Sequence, residues 1–234
     1  KPAKPAPAAA PKPALPPVQP ATADPAQQVA AKLTLPARGP VAEASRHALD
    51  AIAEVHSDGG LQLSPVEGVS QSPAHGGHYR RASTRPRLAA NPEDIDTSIR
   101  INRNDASQSP INSALHEIGH KIDNEAIEFR FQGYSAIRSQ AAVDVRSQIH
   151  STLANTRRVA ECRTKASWSQ EHRDYMASPD ECFARAYAQY IVTRSTSQPA
   201  REELDRLRSG PYRELVWDDD DFQPVISLYD QLDR

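Results

Sequence analysis

The sequence predicts an α+β fold, in which a mainly helical domain with a small antiparallel sheet follows a disordered Pro/Ala-rich segment. Eleven of the twenty prolines lie in residues 1–40, and a segment of this composition buries too little apolar surface to offset its ordering entropy. Short segments with strand-like alternation follow, up to Asn102. From Ile111 onwards, apolar residues recur at helical spacing. We therefore expect a linker over residues 1–40 and one domain, with a core of its own, over residues 41–234.

Charge and hydropathy exclude several classes of protein. The formal charge is −2, with acidic and basic residues interspersed, so no nucleic-acid-binding surface is expected. No apolar run has the length of a membrane span, and no signal peptide is found. With only Cys162 and Cys182, a disulfide framework is not expected, and a reducing compartment fits. Because the chain begins without Met, we expect a fragment of a longer protein or a processed product, whose localisation and oligomeric state are open.

The first predicted elements are a helix over Val41–His56 and an edge strand over Leu61–Val66, which contains a proline. A glycine-rich turn from His75 to His78 predicts a hairpin. Both histidines could reach a metal, although turn histidines are usually not ligands. The segment Thr97–Asn102 is predicted as a second strand. It is either a structural strand or one that pairs with the extended backbone of a substrate.

The C-terminal half predicts further helices. One long helix is expected over Gln140–Lys165, with His150 as a structural residue beside its apolar stripe. A charged helix is expected over Gln198–Ser209, and a last helix should close the core together with Trp217. The acidic residues Asp218–Asp221 are interpreted as the N-terminus of that last helix, with a calcium site as the alternative.

The segment from Ser109 to Asp123 contains the spacing that a zinc hydrolase needs on one helix, His116-Glu117-x-x-His120. Ser109 suits the N-cap and the following proline suits the first helical position. Residues four apart lie on one helical face, so both imidazoles can reach one tetrahedral metal ion. Glu117 is then placed to take a proton from a water bound to that ion. Asp123 is either a partner for a histidine N–H or a solvated helix residue.

An apolar stripe predicts which face of this helix is buried. Ile111, Leu115, Ile118 and Ile122 recur at helical spacing, and the two histidines lie on roughly the opposite face. A helix with a packed back and a polar front is expected to line a cleft, although a simple amphipathic surface helix would show the same pattern.

Two histidines leave a catalytic zinc ion short of one protein ligand. Glu181 is the best candidate, because Ala184 and Ala188 share its helical surface and would let this helix approach the histidine helix closely. The alternative is a capping box, Ser178-Pro-Asp-Glu181, in which Glu181 only bonds back to the Ser178 backbone. The spacing alone does not decide between the two.

His116-Glu-Ile-Gly-His120, followed by Glu181-Cys-Phe-Ala-Arg-Ala-Tyr187, resembles the gluzincin metallopeptidases, in particular the anthrax-lethal-factor-like group. It is still more similar to the metallopeptidase-like domains of phage head-morphogenesis proteins of the Mu F type and of bacterial polymorphic toxins. The similarity extends from about Ala44 to the end of the chain. It includes Val55–Leu61, Gly77–Tyr79 and Trp217–Phe222.

The resemblance implies a zincin-like metallopeptidase domain over residues 41–234, with Zn²⁺ bound by His116, His120 and Glu181. It implies Glu117 as general base and a tyrosine before the third ligand that stabilises the oxyanion. Tyr175 is the matching residue, one position closer to the glutamate than in the lethal-factor pattern.

These expectations describe a zinc-dependent endopeptidase acting on a polypeptide substrate. The resemblance suggests an effector or toxin delivered into another cell, or a virion-associated protease. Two alternatives stay open: a catalytically silent, zinc-stabilised binding or scaffold domain of a larger protein, and a helical adaptor in which the motif is accidental.

Overall fold

The computed structural model describes residues 39–55, 66–69, 77–80, 98–102, 109–128, 140–210 and 213–231. Most of these residues are helical. The elements, in chain order, are α1 (Pro40–Val55), β1 (Val66–Val69), β2 (Gly77–Arg80), β3 (Ser98–Asn102), α2 (Pro110–Glu128), α3 (Gln140–Ala154), α4 (Arg157–Thr164), α5 (Gln170–Met176), α6 (Pro179–Arg194), α7 (Gln198–Ser209), a 3₁₀ turn (Arg213–Leu215) and α8 (Asp219–Tyr229). The predicted linker falls almost entirely outside the described residues, as do His56, His75 and the side chain of His78.

The predicted α+β class with an antiparallel sheet is wrong, because the described part of the chain is mainly helical. The strands are only four or five residues long. Their order is β1-β3-β2, with β1 parallel and β2 antiparallel to β3. The side chain of Ile101, in β3, is buried in the core. Alternation along a strand locates the strand, but its partner and direction depend on the path of the connecting chain.

Helix α6 lies at the centre of the domain and contacts α1, α2, α3, α7 and α8. From Glu181 to Val192 every residue of α6 except Arg185 is buried, as expected of a helix surrounded by others. Helix α2 packs against it, and Leu115, Ile118 and Ile122 of the apolar stripe predicted for α2 are buried in the core. The core therefore sits between these two helices.

The single helix predicted over Gln140–Lys165 is instead two helices, α3 and α4. Thr156 separates them as the N-cap of α4, with its Oγ1 accepting a hydrogen bond from the Val159 N–H. The same hydroxyl donates to the Leu153 carbonyl at 2.7 Å and accepts from Trp217 Nε1 at 3.0 Å. A threonine that bonds its own backbone competes with the helical pattern, and the distant tryptophan adds a partner that the local sequence does not reveal.

The predictions for Trp217 and for the acidic segment that follows it are confirmed. Trp217 is buried in the core, and Asp218 is the N-cap of α8 with three further aspartates in its first turn. Asp221 accepts hydrogen bonds from the backbone N–H groups of Arg157 and Arg158, both at 3.0 Å, and so caps α4 as well. Cys162 and Cys182 are both buried free thiols. None of the helices in the described ranges is long and apolar enough to cross a membrane.

Candidate metal centre

Helix α2 begins where the sequence predicts. The Ile111 N–H donates to Ser109 Oγ at 3.2 Å, which satisfies one of the donors that a helix N-terminus leaves open. One turn further on, His116 and His120 face each other with their Nε2 atoms 3.1 Å apart. The predicted helical spacing thus brings two imidazole nitrogens to one point.

Glu181, in the first turn of α6, reaches the same point from the neighbouring helix. Its Oε2 atom is 3.6 Å from His116 Nε2 and 3.5 Å from His120 Nε2. These three residues form the group of potential metal ligands found among the described residues. The side chain of Glu181 is buried, whereas the two imidazoles are partly exposed.

The capping-box interpretation of Glu181 does not hold. Ser178 is the N-cap of α6, but its side chain makes no capping hydrogen bond. In a capping box, the Ser178 backbone N–H would donate a hydrogen bond to the Glu181 carboxylate. Here it donates to the Tyr175 carbonyl instead, at 3.0 Å. The Glu181 carboxylate is therefore directed towards the histidines.

Close contact between α2 and α6 brings the three ligands together. Gly119, between the histidines, faces Ala184. A Cβ atom at Gly119 would lie 2.9 Å from Ala184 Cα, 3.0 Å from Ala184 O and 3.2 Å from Tyr187 Cβ. The sequence predicted that Ala184 lets α6 approach α2 closely. The structure shows that Gly119 on α2 is equally necessary for this approach.

The donor set fits a zinc ion. Bonds of about 2.0–2.1 Å in a tetrahedron place neighbouring ligand atoms about 3.3–3.4 Å apart, and the separations here are 3.1, 3.5 and 3.6 Å. Two imidazoles and one carboxylate are a common ligand set for zinc. Glu181 Oε2 is also a buried atom without a hydrogen-bond partner among the described residues, which a bound cation would satisfy.

The electrostatics of the cluster favour positive charge. Burial opposes ionisation of Glu181, but His116, His120 and Arg185 outweigh it and hold the pKa of its carboxyl well below the usual value. Burial also opposes the charged form of His116, whereas Glu181 and Glu117 raise the pKa of its imidazole on balance. The charges of Glu181 and Glu117 thus favour positive charge at the position of these imidazoles.

Glu117 and Tyr175 lie next to the three ligands. Glu117 is buried on α2, with an exposed fraction of 4%. Tyr175, on α5, is 54% exposed, yet loss of hydration around its hydroxyl and the charges of Glu181 and Glu117 raise its pKa. Tyr175 is therefore about half exposed, while its hydroxyl is close enough to interact with both carboxylates.

Of the two roles predicted for Asp123, the structure shows a partner for a histidine N–H, but that histidine is His150 and not one of the candidate ligands. Asp123 is buried, and its Oδ1 atom accepts hydrogen bonds from Arg146 Nε at 2.6 Å and His150 Nε2 at 2.7 Å. The histidine that it binds is on α3. Asp123 therefore attaches α3 to α2, and the expected structural role of His150 includes a polar contact as well as packing against Phe183.

Comparison of the chain with protein-family models, with curated proteins and with solved structures finds no match. The fold and the cluster together define a mainly helical protein with a candidate His₂Glu metal centre.

Proposed function

We propose that the protein is a zinc-dependent endopeptidase that hydrolyses peptide bonds of a polypeptide substrate, of the gluzincin type that its sequence resembles. The observation that carries this proposal is the convergence of two imidazole nitrogens and one buried carboxylate oxygen, with Glu117 and Tyr175 beside them. A role as a delivered effector or toxin, or as a phage-associated protease, is proposed on the resemblance alone.

His116, His120 and Glu181 would hold the zinc ion. When bound, the ion supplies Lewis-acid polarisation of a carbonyl and lowers the pKa of a coordinated water towards about 7. Three protein ligands would leave a bound zinc ion one position for solvent or substrate, as catalytic zinc sites do.

Glu117 acts as the general base. Its carboxylate accepts the proton of the attacking water as the new C–O bond forms, and then passes this proton to the amide nitrogen as the C–N bond breaks. Burial places the carboxylate in a medium of low dielectric constant, where charge interactions are strong. The Tyr175 hydroxyl donates a hydrogen bond to the carbonyl oxygen as it becomes negative.

The expected pairing of substrate with the strand around Ile99–Ile101 needs correction. Strand β3 lies between β1 and β2 and uses both of its edges within the sheet. Strand β2 also packs against α2, and in the described sheet its other edge has no partner. We therefore place the extended substrate backbone along the outer edge of β2, where main-chain hydrogen bonds can form.

The test combines metal analysis with a peptide-library cleavage assay of wild type and Glu117→Gln. We expect stoichiometric zinc in both proteins and cleavage in wild type only. Full zinc occupancy without any cleavage by wild type would favour the silent scaffold domain. Absence of stoichiometric metal from the purified wild-type protein would contradict both interpretations.

A further inference from the structure

Arg185 lies one helical turn after Glu181 on α6 and is the one residue that is not fully buried in the central part of that helix. Its side chain is 11% exposed and contacts groups from three parts of the chain. We propose that Arg185 is a positioning residue, which fixes the orientation of the Glu181 carboxylate and the end of helix α5 next to Tyr175. The inference rests on the proposed function in one respect, that Glu181 is a zinc ligand.

In the first contact, Arg185 and the two histidines face different oxygens of the Glu181 carboxylate. Arg185 Nε is 3.5 Å from Oε1, while Oε2 faces the two histidines. The Nε–Oε1 contact is an ion pair without a hydrogen bond, since Nε has no hydrogen-bond partner among the described residues. The guanidinium thus attracts the oxygen that does not face the histidines and sets the rotation of the carboxylate. Its charge also contributes to the low pKa of Glu181.

The second contact joins the same guanidinium to α5. Arg185 Nη2 donates a short hydrogen bond to the carbonyl of Met176, the last residue of α5, and Nη1 donates to the Leu215 carbonyl at 3.5 Å. Tyr175 directly precedes Met176. One planar group therefore links the candidate third ligand to the segment that carries the candidate oxyanion donor.

The third contact keeps the guanidinium in place. Its central carbon lies over the Trp217 ring, 5.3 Å from the centroid, which is a cation–π distance. Trp217 itself is fixed, because the Gln189 side chain hydrogen-bonds to both its backbone N–H and its carbonyl, at 2.9 and 2.8 Å. Arg185 is thus held in one orientation by groups outside the metal centre.

Only arginine provides all three contacts. Its guanidinium is a planar fork with several donors, whereas the ammonium group of lysine is a compact point charge. Arg185→Lys keeps the charge near Glu181 but loses the simultaneous bonds to two carbonyls. Arg185→Gln loses the charge as well.

The experiment measures zinc affinity by chelator competition and the visible absorption spectrum of the Co²⁺-substituted protein, which reports coordination geometry. We expect Arg185→Gln to weaken zinc binding about 10- to 100-fold, as substitutions of residues that orient metal ligands do, and to alter the Co²⁺ spectrum. Arg185→Lys should recover part of the affinity. The matched control is Arg173→Gln, because Arg173 also donates to two carbonyls, those of Lys165 and Trp168, at the other end of α5.

The outcomes separate this inference from the proposed function. If wild type binds zinc and Arg185→Gln shows the same affinity and Co²⁺ spectrum, the positioning role is refuted and the metal centre stands. If Arg185→Gln does not fold, Arg185→Lys decides: an altered spectrum with weaker binding supports the role, and wild-type values refute it. If wild type binds no zinc, the proposed function fails and this inference fails with it.

Discussion

Substitution of Gly119 by alanine tests whether the close contact between α2 and α6 forms the metal centre. The added Cβ would lie 2.9 Å from Ala184 Cα and 3.0 Å from Ala184 O. Both are backbone atoms, so a side-chain rotation cannot relieve the overlap, and the two helices must separate by a few tenths of an ångström. Because His116 and His120 are on one helix and Glu181 is on the other, this separation also lengthens the distances between the ligands.

The expected cost follows from two opposing effects. Overpacking of a tight contact destabilises a protein by about 1–3 kcal/mol, whereas replacing glycine within a helix by alanine gains about 0.5–1 kcal/mol. We expect a net loss of up to about 2.5 kcal/mol in the free energy of unfolding of the metal-free protein. Zinc affinity should fall as well, since a zinc site requires ligand distances within about 0.2 Å of the ideal values.

Urea unfolding with and without zinc, together with chelator competition, measures both effects. Asn112→Ala on the same helix is the control, because this substitution also raises helix propensity. Asn112 is half-buried and lies away from the contact between Gly119 and α6. A Gly119→Ala protein that is as stable as wild type and binds zinc equally well would refute the idea that this contact fixes the ligand distances.

Three further predictions concern metal, buried polar contacts and pH. Zinc at 1,000 times its Kd should stabilise wild type by about 4 kcal/mol, and Glu181→Gln should lose most of this gain in the same thermal or urea experiment. Asp123→Ala should lower the free energy of unfolding by about 1–3 kcal/mol, because it removes the buried carboxylate that accepts hydrogen bonds from the partly buried side chains of Arg146 and His150; unchanged urea unfolding would contradict this. Hydrogen bonding, first from the Ser195 hydroxyl, lowers the pKa of Glu54 from 4.5. The stabilisation that the ionised Glu54 carboxylate provides is therefore complete above pH 4.5 and is lost as the pH falls through the lower pKa of the folded state. The difference in free energy of unfolding between wild type and Glu54→Gln should shrink on acidification. A difference that grows would contradict this prediction.

Local signals predicted the helices well and the sheet poorly. The apolar stripe of α2, its start at Ser109 and the acidic N-terminus of α8 depend on residues within one or two turns, and all three are found. The division between α3 and α4 was missed, since Trp217 hydrogen-bonds to Thr156 from 61 residues away. The parallel pairing of β1 with β3 was missed for the same reason, because strand partners are chosen by the long-range path of the chain.

The sequence by itself determined the two histidines and the adjacent glutamate, because a spacing of four residues on a helix fixes their relative positions without any other part of the chain. Only the tertiary structure decided that Glu181 faces these histidines and does not cap its own helix, since that depends on how closely α6 approaches α2 at Gly119. The same is true of Arg185 and Asp123, whose partners lie on other segments. Bonds between distant segments depend on the packing of the whole core, which short-range sequence patterns do not specify.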